Sequence, residues 1–287
     1  MPEPAVPPSG LVPVDKPAGI TSHDVVNRVR RALGIRKVGH AGTLDPLATG
    51  LLLVGVGRAT RLLRFLADLP KVYRGTGVLG IETTTYDADG EVVRESPVHV
   101  TEGQLRSAMA ALTGDIEQVP PAYSAVQVGG RRMYEAARKG VTLEAPRRRV
   151  HVERFDLLSF DPPRFDVEVE CSTGTYVRSL VHDVGQALGA GAHLAALRRT
   201  AIGPFRVERA VPPERAAEGL LPVDTAVAHL ASITLHPEEA RVAPTGCCLG
   251  PAGLEGPYRA LGPDGRLIGI YHDEGAKAVP DVILAPA

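Results

Sequence analysis

No tryptophan occurs among the 287 residues, and all aromatics together make up 4% of them. A broad stacking platform for single-stranded nucleic acid needs many exposed rings, and this chain has too few to build one. Cysteine is scarce as well. Cys171, Cys247 and Cys248 form no C-x-x-C pair, and the adjacent Cys247 and Cys248 are poorly placed to bridge each other or to share a zinc ion. That usage predicts a reducing, cytoplasmic setting. No apolar run approaches the roughly 18 residues that a membrane-spanning helix needs. The opening MPEPAVPPSG lacks both a positive n-region and an apolar h-region, so residues 1–10 read as a disordered Pro-rich leader and not as a signal peptide. Four common motifs are missing: G-x-x-x-x-G-K-[ST], G-x-G-x-x-G after a strand, H-E-x-x-H and G-x-S-x-G. The histidines show no metal-ligand spacing, and His40 with Asp45 lacks a third ligand, so neither a metal nor a cofactor is expected.

What is present is clustered charge. The net charge of −1 hides an asymmetry: residues 1–200 hold 25 Lys and Arg against 22 Asp and Glu, while 201–287 hold 7 against 11. Arg131, Arg132, Arg138, Lys139, Arg147, Arg148 and Arg149 face only Glu135 and Glu144 within 131–149. Two further clusters are Arg28, Arg30, Arg31, Arg36 and Lys37, and Arg58, Arg61 and Arg64. One such cluster alone is ordinarily a solvated face. Three around one unusual loop favour a polyanionic partner.

Hydrophobic spacing outlines the elements. In SHDVVNRVRRALG, Val25, Val26, Val29 and Leu33 recur at helical spacing, with Ser22 as a cap and Gly34 as a stop. LLLVGVG (51–57) reads as a buried strand, RATRLLRFLADL (58–69) as a helix, and KVYRGTGVLG (71–80) as a strand. Asp89-Gly90 signals a hairpin, and Thr101 starts a helix that ends near Gly114. Residues 119–149 look like an inserted arm rich in Pro, Gly and Arg. FDVEVEC (165–171) alternates as a strand, and a helix runs from about Tyr176 to Leu188. Interleaved strands and helices predict an α/β or α+β fold with a large mixed sheet. VPPERAAEGLLPVDTAVAHL reads as a helical connection. Short β-like runs after residue 233 predict a small all-β unit, with Pro263-Asp264-Gly265 as one of its turns.

The most unusual stretch is GHAGTLDPLATG, 39–50. It holds a single acid, Asp45, among small and glycine residues. A lone aspartate serves most often as a turn or N-cap residue. Here the glycines leave room for a ligand to approach the backbone closely. One carboxylate can act alone as a nucleophile. It then needs a cation to keep it ionised, since burial alone raises a carboxyl pKa.

GHAGTLDPLATGLLLVGVGRATR is very similar to the catalytic motif of the bacterial tRNA pseudouridine-55 synthases, the TruB family. VDKPAGITSHDVV (14–26), KVYRGTGVLGIETTTYDADG (71–90), PPAYSAVQVGGRRMYEAARKG (120–140) and CSTGTYVRSLVHDVGQALGAGAHLAALRRT (171–200) resemble that family's other motifs in the same order. The resemblance implies the α+β pseudouridine synthase fold, with a large mixed sheet flanked by helices. It implies a catalytic domain over 11–232 with an RNA-gripping insertion at about 119–149, and a small all-β PUA-like RNA-binding domain over 233–287. It implies isomerisation of uridine to pseudouridine at position 55 in the T-loop of tRNA, by base flipping and an aspartate nucleophile. An added tRNA-folding chaperone role is a further expectation.

The resemblance also implies roles. Asp45 is the catalytic carboxylate and Arg178 its partner. Tyr73 stacks on the uracil, Leu197 walls the pocket, and His40 and Tyr176 lie near the flipped nucleotide. Lys16 and Pro17 are supportive. Arg131, Arg132, Arg147, Arg148 and Arg149 contact the RNA backbone. Without the resemblance, Tyr73 and Leu197 read as core packing and Arg178 as a surface arginine. The isomerisation exchanges no atoms or electrons with a second reactant, consistent with no cofactor. The expected partner is the T-arm of tRNA, read by a monomer with no guide RNA. The guide-dependent rRNA synthases share TLDP, but LATGLLLV and the insertion favour the stand-alone form.

Overall fold

Valines at 25, 26 and 29 fall on one face of a helix, and the sheet they pack on is laid down by the strands before and after it. The structure, a computed structural model, describes residues 8–121, 123, 127–128, 131–133 and 146–284. The leader expected over 1–10 lies mostly outside the described residues. At its end it is ordered: Gly10 opens the first strand, and the Ser9 hydroxyl accepts the Arg58 N–H.

In chain order the first elements are β1 (Gly10–Lys16), α1 (Ser22–Leu33), β2 (Val38–Ala41), β3 (Thr49–Val56), α2 (Arg64–Ala67) and β4 (Lys71–Leu79). Then come β5 (Ile81–Thr83), β6 (Val92–Glu95), α3 (Glu102–Ala110), β7 (Gly114–Gln118), β8 (Gln127–Val128) and β9 (Arg131–Arg132). β10 (Arg148–Asp161), β11 (Arg164–Cys171), α4 (Val177–Ala187) and β12 (Ala192–Ile202) complete the unit built on the central sheet, with β13 (Phe205–Arg206) beside β12. The central sheet runs β1-β3-β12-β4-β11-β10-β7, with β2 added on β3. All these pairings are antiparallel except β12 on β3, so the sheet is mixed and the fold is α+β. That one parallel contact sets Arg198 beside Thr49 and Arg199 beside Gly50. Gly50 has φ 99°, and a Cβ there would lie 2.3 Å from the Arg199 carbonyl oxygen, so only glycine allows the approach.

Several local expectations need correction. The cap of α1 is Thr21 and not Ser22: the Thr21 hydroxyl accepts the Asp24 N–H while the Asp24 carboxylate accepts the Thr21 N–H. Ser22 turns inward to the loop before β3. Gly34 does close the helix, at φ 65°. The helix expected over 58–69 is a 3-10 segment, Gly57–Leu62, followed by the short α2. The connection after residue 210 is a set of 3-10 turns, because Val211 and Leu221 bond back to β1.

A second sheet follows: β14 (Ser232–Thr234), β15 (Tyr258–Leu261), β16 (Leu267–Glu274) and β17 (Lys277–Ile283), in that order. Leu235, Tyr258 and Tyr271 form its own core. Ile270, Val282 and Leu284 join Leu11, Leu51, Leu53 and Leu66 in a core shared with the central sheet. Each fully buried aliphatic side chain there contributes roughly 1.5–3 kcal/mol. Two arginines of an expected phosphate-binding cluster are engaged at this junction instead. Arg61 donates to the Ile283 carbonyl, and Arg64 pairs with Asp281 at 3.1 Å. Arg28 is similarly engaged with Glu214 at 2.9 Å. Among the described residues no helix is long and apolar enough to cross a membrane.

Candidate active site

The loop 42–48 joins β2 to β3, and its backbone would be left unsatisfied without two buried cations. Arg199, 1% exposed, donates to the carbonyls of Leu51 at 2.7 Å, Gly42 at 3.0 Å and Thr43 at 3.4 Å. Lys16, fully buried, donates to Ala48 at 2.6 Å, Pro17 at 3.0 Å and Pro46 at 3.2 Å. Burial pulls the Lys16 ammonium down to about 8, against the attraction of Asp45. The Ser22 hydroxyl accepts the Leu44 N–H at 2.9 Å and donates back to the Leu44 carbonyl at 3.1 Å. Leu44 is buried, which turns its neighbour Asp45 outward into a cavity. Apart from the local Ala48 N–H to Asp45 carbonyl bond, these constraints come from segments distant in sequence, and together they hold the single acid in place.

Arg178 comes from the first turn of α4. A cation is unfavourable at a helix N-terminus, so its placement there needs compensating partners. Two carboxylates supply them. Nη2 lies 3.0 Å from Asp45 Oδ2, and Nη1 lies 2.9 Å from Asp87 Oδ2. Nη1 also donates to the Thr85 carbonyl and Nη2 to the Tyr123 carbonyl, each at 3.1 Å. Arg178 is 4% exposed, which excludes the surface-arginine alternative. The Asp87 side chain is 5% exposed and that of Asp45 is 38% exposed. The guanidinium therefore joins one locked acid to one acid that faces the cavity.

That cavity has a volume of about 810 Å³. Asp45, His40, Tyr73, Tyr176, Arg178 and Leu197 all line it. Tyr73 on β4 pairs across the sheet with Arg199 on β12, whose guanidinium carbon lies 6.0 Å from the Tyr73 ring centre. Burial raises the Tyr73 phenol, so it stays protonated at neutral pH. Burial and the Arg199 charge lower the His40 imidazole, leaving it neutral. Two guanidinium groups lie over the Tyr176 ring: Arg148 is 4.4 Å and Arg178 5.9 Å from its centre.

Asp45 is the group with opposed influences. Burial pushes its carboxyl above the usual range, Arg178 pulls it back, and Asp87 adds a further push upward. Activity that needs the carboxylate should therefore fail on acidification at a higher pH than for an ordinary aspartate. A single-turnover pH profile in which the acid limb stays at the ordinary Asp value would count against this.

The expected RNA-backbone arginines separate. Arg147 and Arg149 are exposed, with Arg147 3.8 Å from Glu117, whereas Arg148 is half-buried against Tyr176. Arg131 and Arg132 form β9, and their side chains lie outside the described residues. Most of the insertion at 119–149 also lies outside them.

Asp87, Arg199, Lys71 and Tyr123 line the same cavity; they fall within the segments that resemble the family's motifs, but none of them is singled out there as a site residue. Asp87 is the paired carboxylate that the sequence does not reveal, since it sits within a segment that reads as a turn. Arg199 carries a faint signal. It is an arginine at an inward register of a strand, next to Arg198, which faces outward and pairs with Asp15 at 2.8 Å.

Comparison with known proteins agrees with this geometry. Residues 30–177 match the TruB family pseudouridylate synthase N-terminal domain. Residues 178–218 match the tRNA pseudouridylate synthase B C-terminal domain, and 230–285 match the tRNA pseudouridine synthase II C-terminal domain. The chain is 48% identical to tRNA pseudouridine synthase B of Mycobacterium sp. (strain KMS), covering 97% of each chain. It is also 48% identical to that of Thermobifida fusca (strain YX), over 96% of this chain and 98% of the relative. Among solved structures, a chain of a Cbf5-Nop10-Gar1 complex superposes with a TM-score of 0.76 at 25% identity, covering 96% of this chain and 85% of that one. The archaeal box H/ACA sRNP Nop10-Cbf5 complex gives 0.75 at 26% identity, covering 96% and 86%. With these matches over nearly its full length, the chain belongs to the TruB family of pseudouridylate synthases.

Proposed function

We propose that this enzyme acts alone on the T-arm of tRNA and converts uridine 55 in the T-loop to pseudouridine, with Asp45 as its reacting carboxylate. Isomerisation of uridine to pseudouridine in tRNA follows from family membership. The observation that carries the finer reading is the partly exposed Asp45 carboxylate, held by a buried Arg178 in a cavity walled by Tyr73 and Leu197.

The reaction breaks the N1–C1′ bond, turns the base within the site and joins C5 to C1′; the proton lost from C5 is balanced by one gained at N1, so no atoms are gained or lost overall. A stacked T-loop uridine must be flipped out first, at a cost of a few kcal/mol. The cavity is of a size that takes such a ligand. Tyr73 offers a buried ring for the uracil, and Leu197 helps exclude water. His40, neutral, offers a hydrogen bond without a competing charge. Asp45 attacks either ribose C1′ or uracil C6, and Arg178 keeps it ionised and aimed. Residues 11–232 then form the catalytic domain and 233–287 a PUA-like accessory domain that adds tRNA contacts. The domain match at 230–285 and the separate sheet β14–β17 support that division. Cytoplasmic location and a monomeric state belong to the same proposal.

Incubating the purified protein with an unmodified tRNA transcript and mapping pseudouridine tests the reading. One product at position 55, formed without any added RNA, is expected. Modification elsewhere, or only with a guide RNA present, would overturn it.

Phosphate binding is tested separately. Replacing Arg147 and Arg149 with alanine should reduce the log–log salt slope of tRNA binding by about 0.7–0.9 for each phosphate that is no longer neutralised. An unchanged slope in filter binding would make the pair a solvated face.

A further inference from the structure

Residues 85–87 meet Arg178 at both ends, through the Thr85 carbonyl at 3.1 Å and Asp87 Oδ2 at 2.9 Å. Between them stands Tyr86 at φ 63°, the only non-glycine residue with positive φ among those described. A bulky side chain disfavours that conformation, so the surroundings must impose it. The backbone supplies part of the restraint. The Tyr86 N–H donates to the Thr83 carbonyl at 3.3 Å, and its carbonyl accepts the Leu194 N–H at 2.9 Å.

The ring is held from the other side. Tyr86 stacks on His182 with ring centres 3.8 Å apart and planes 12° from parallel. His182 follows Arg178 by four residues on α4, which places both side chains on one helix face a turn apart. The imidazole Nδ1 is buried and has no hydrogen-bond partner among the described residues. Burial lowers its pKa, so the ring is neutral at neutral pH. What it offers Tyr86 is a flat surface. One face of α4 thus grips three consecutive residues, with Arg178 on 85 and 87 and His182 on 86.

We propose that His182 is a positioning residue for the reaction: by stacking on Tyr86 it fixes the 85–87 turn against Arg178, and so fixes the guanidinium that aims Asp45. This rests on the reading of Asp45 as the reacting carboxylate.

The test uses purified full-length variants, single-turnover pseudouridine formation on a tRNA transcript, and tRNA binding. His182→Ala should lower the rate constant about tenfold to a hundredfold, as a small misplacement of reacting groups does, with binding within about twofold of wild type. His182→Phe keeps a stacking surface and should restore most of the rate. Tyr86→Gly accepts the positive φ without strain and so keeps the fold, yet removes the ring. It should slow the reaction as His182→Ala does. The double variant should be no slower than either single one, because both break one interaction. Wild-type rates in His182→Ala, a phenylalanine variant as slow as the alanine one, or fully additive losses in the double variant would overturn the proposal. Asp45→Asn is measured alongside. If it is inactive while His182→Ala is not, only the stacking role falls. If it stays active, the site reading and this inference fall together.

Discussion

Asp45→Asn is expected to take single-turnover pseudouridine formation to background while tRNA binding stays within a few-fold of wild type. Asparagine keeps the shape of aspartate, and its carbonyl oxygen can still accept from Arg178 Nη2, which lies 3.0 Å from Asp45 Oδ2. The loop should hold, because Arg199, Lys16 and Ser22 bond its backbone and not the Asp45 side chain. What disappears is the charge and the nucleophilic oxygen. Asp87, although it borders the cavity, is not placed to replace them: its side chain is 5% exposed and is locked by Arg178 Nη1 and the Thr85 hydroxyl. The loss should therefore exceed the roughly 10²–10⁴-fold typical of removing a helper acid or base. Stability gives an independent sign. A carboxyl whose pKa is raised on folding disfavours the folded state fully at pH values above its folded pKa; that penalty declines as pH falls through the folded pKa and is gone below the unfolded one. Neutralising Asp45 should then leave the melting temperature at pH 7 unchanged or slightly higher. Residual turnover near wild type would remove Asp45 from the chemistry. Binding that falls in parallel with activity would make it a structural residue of the loop. An inactive variant that still binds also isolates the expected tRNA-folding role, which can then be assayed without modification.

Arg178→Lys is expected to lower the rate constant by about 10²-fold or more, the scale at which small misplacements of reacting groups act, with little change in tRNA affinity. Lysine keeps the charge. It cannot reproduce the planar fork that reaches Asp45, Asp87, Thr85 and Tyr123 together. The change should also lower the melting temperature, since the buried Asp87 loses a well-aligned partner even though the positive charge is kept. Rates are accordingly compared at a temperature where both proteins are folded. Near-normal turnover would sink the pairing of Arg178 with Asp45.

The elements legible in the sequence are those whose local pattern and tertiary role agree. The valines of α1 and the alternation of β11 each point one face at the core, and the structure buries those faces. A single helix over 58–69 does not form, because the apolar residues there do not serve one helix face. They pack into the core shared with the second sheet, which breaks the segment into a 3-10 turn and a short helix. Ser22 is a good cap by type, but its hydroxyl has a buried backbone partner in Leu44 that only folding supplies, and Thr21 takes the cap.

By itself the sequence supplied the residue types expected at the candidate site, Asp45 from its own setting and the others through the family resemblance. A lone acid among glycines, a tyrosine on a strand and an arginine at a helix start lie far apart along the chain, and each is a short-range pattern. Only the tertiary structure decided what surrounds the acid. The parallel contact of β12 with β3 carries Arg199 to the loop, and the first turn of α4 carries Arg178 between Asp45 and Asp87. Asp87, Arg178 and Arg199 are 42, 133 and 154 positions away from Asp45 in the numbering of the chain. Nothing in local propensity or spacing encodes such separations. They are fixed by strand register and by the need to neutralise buried charge, both of which exist only once the sheet has formed.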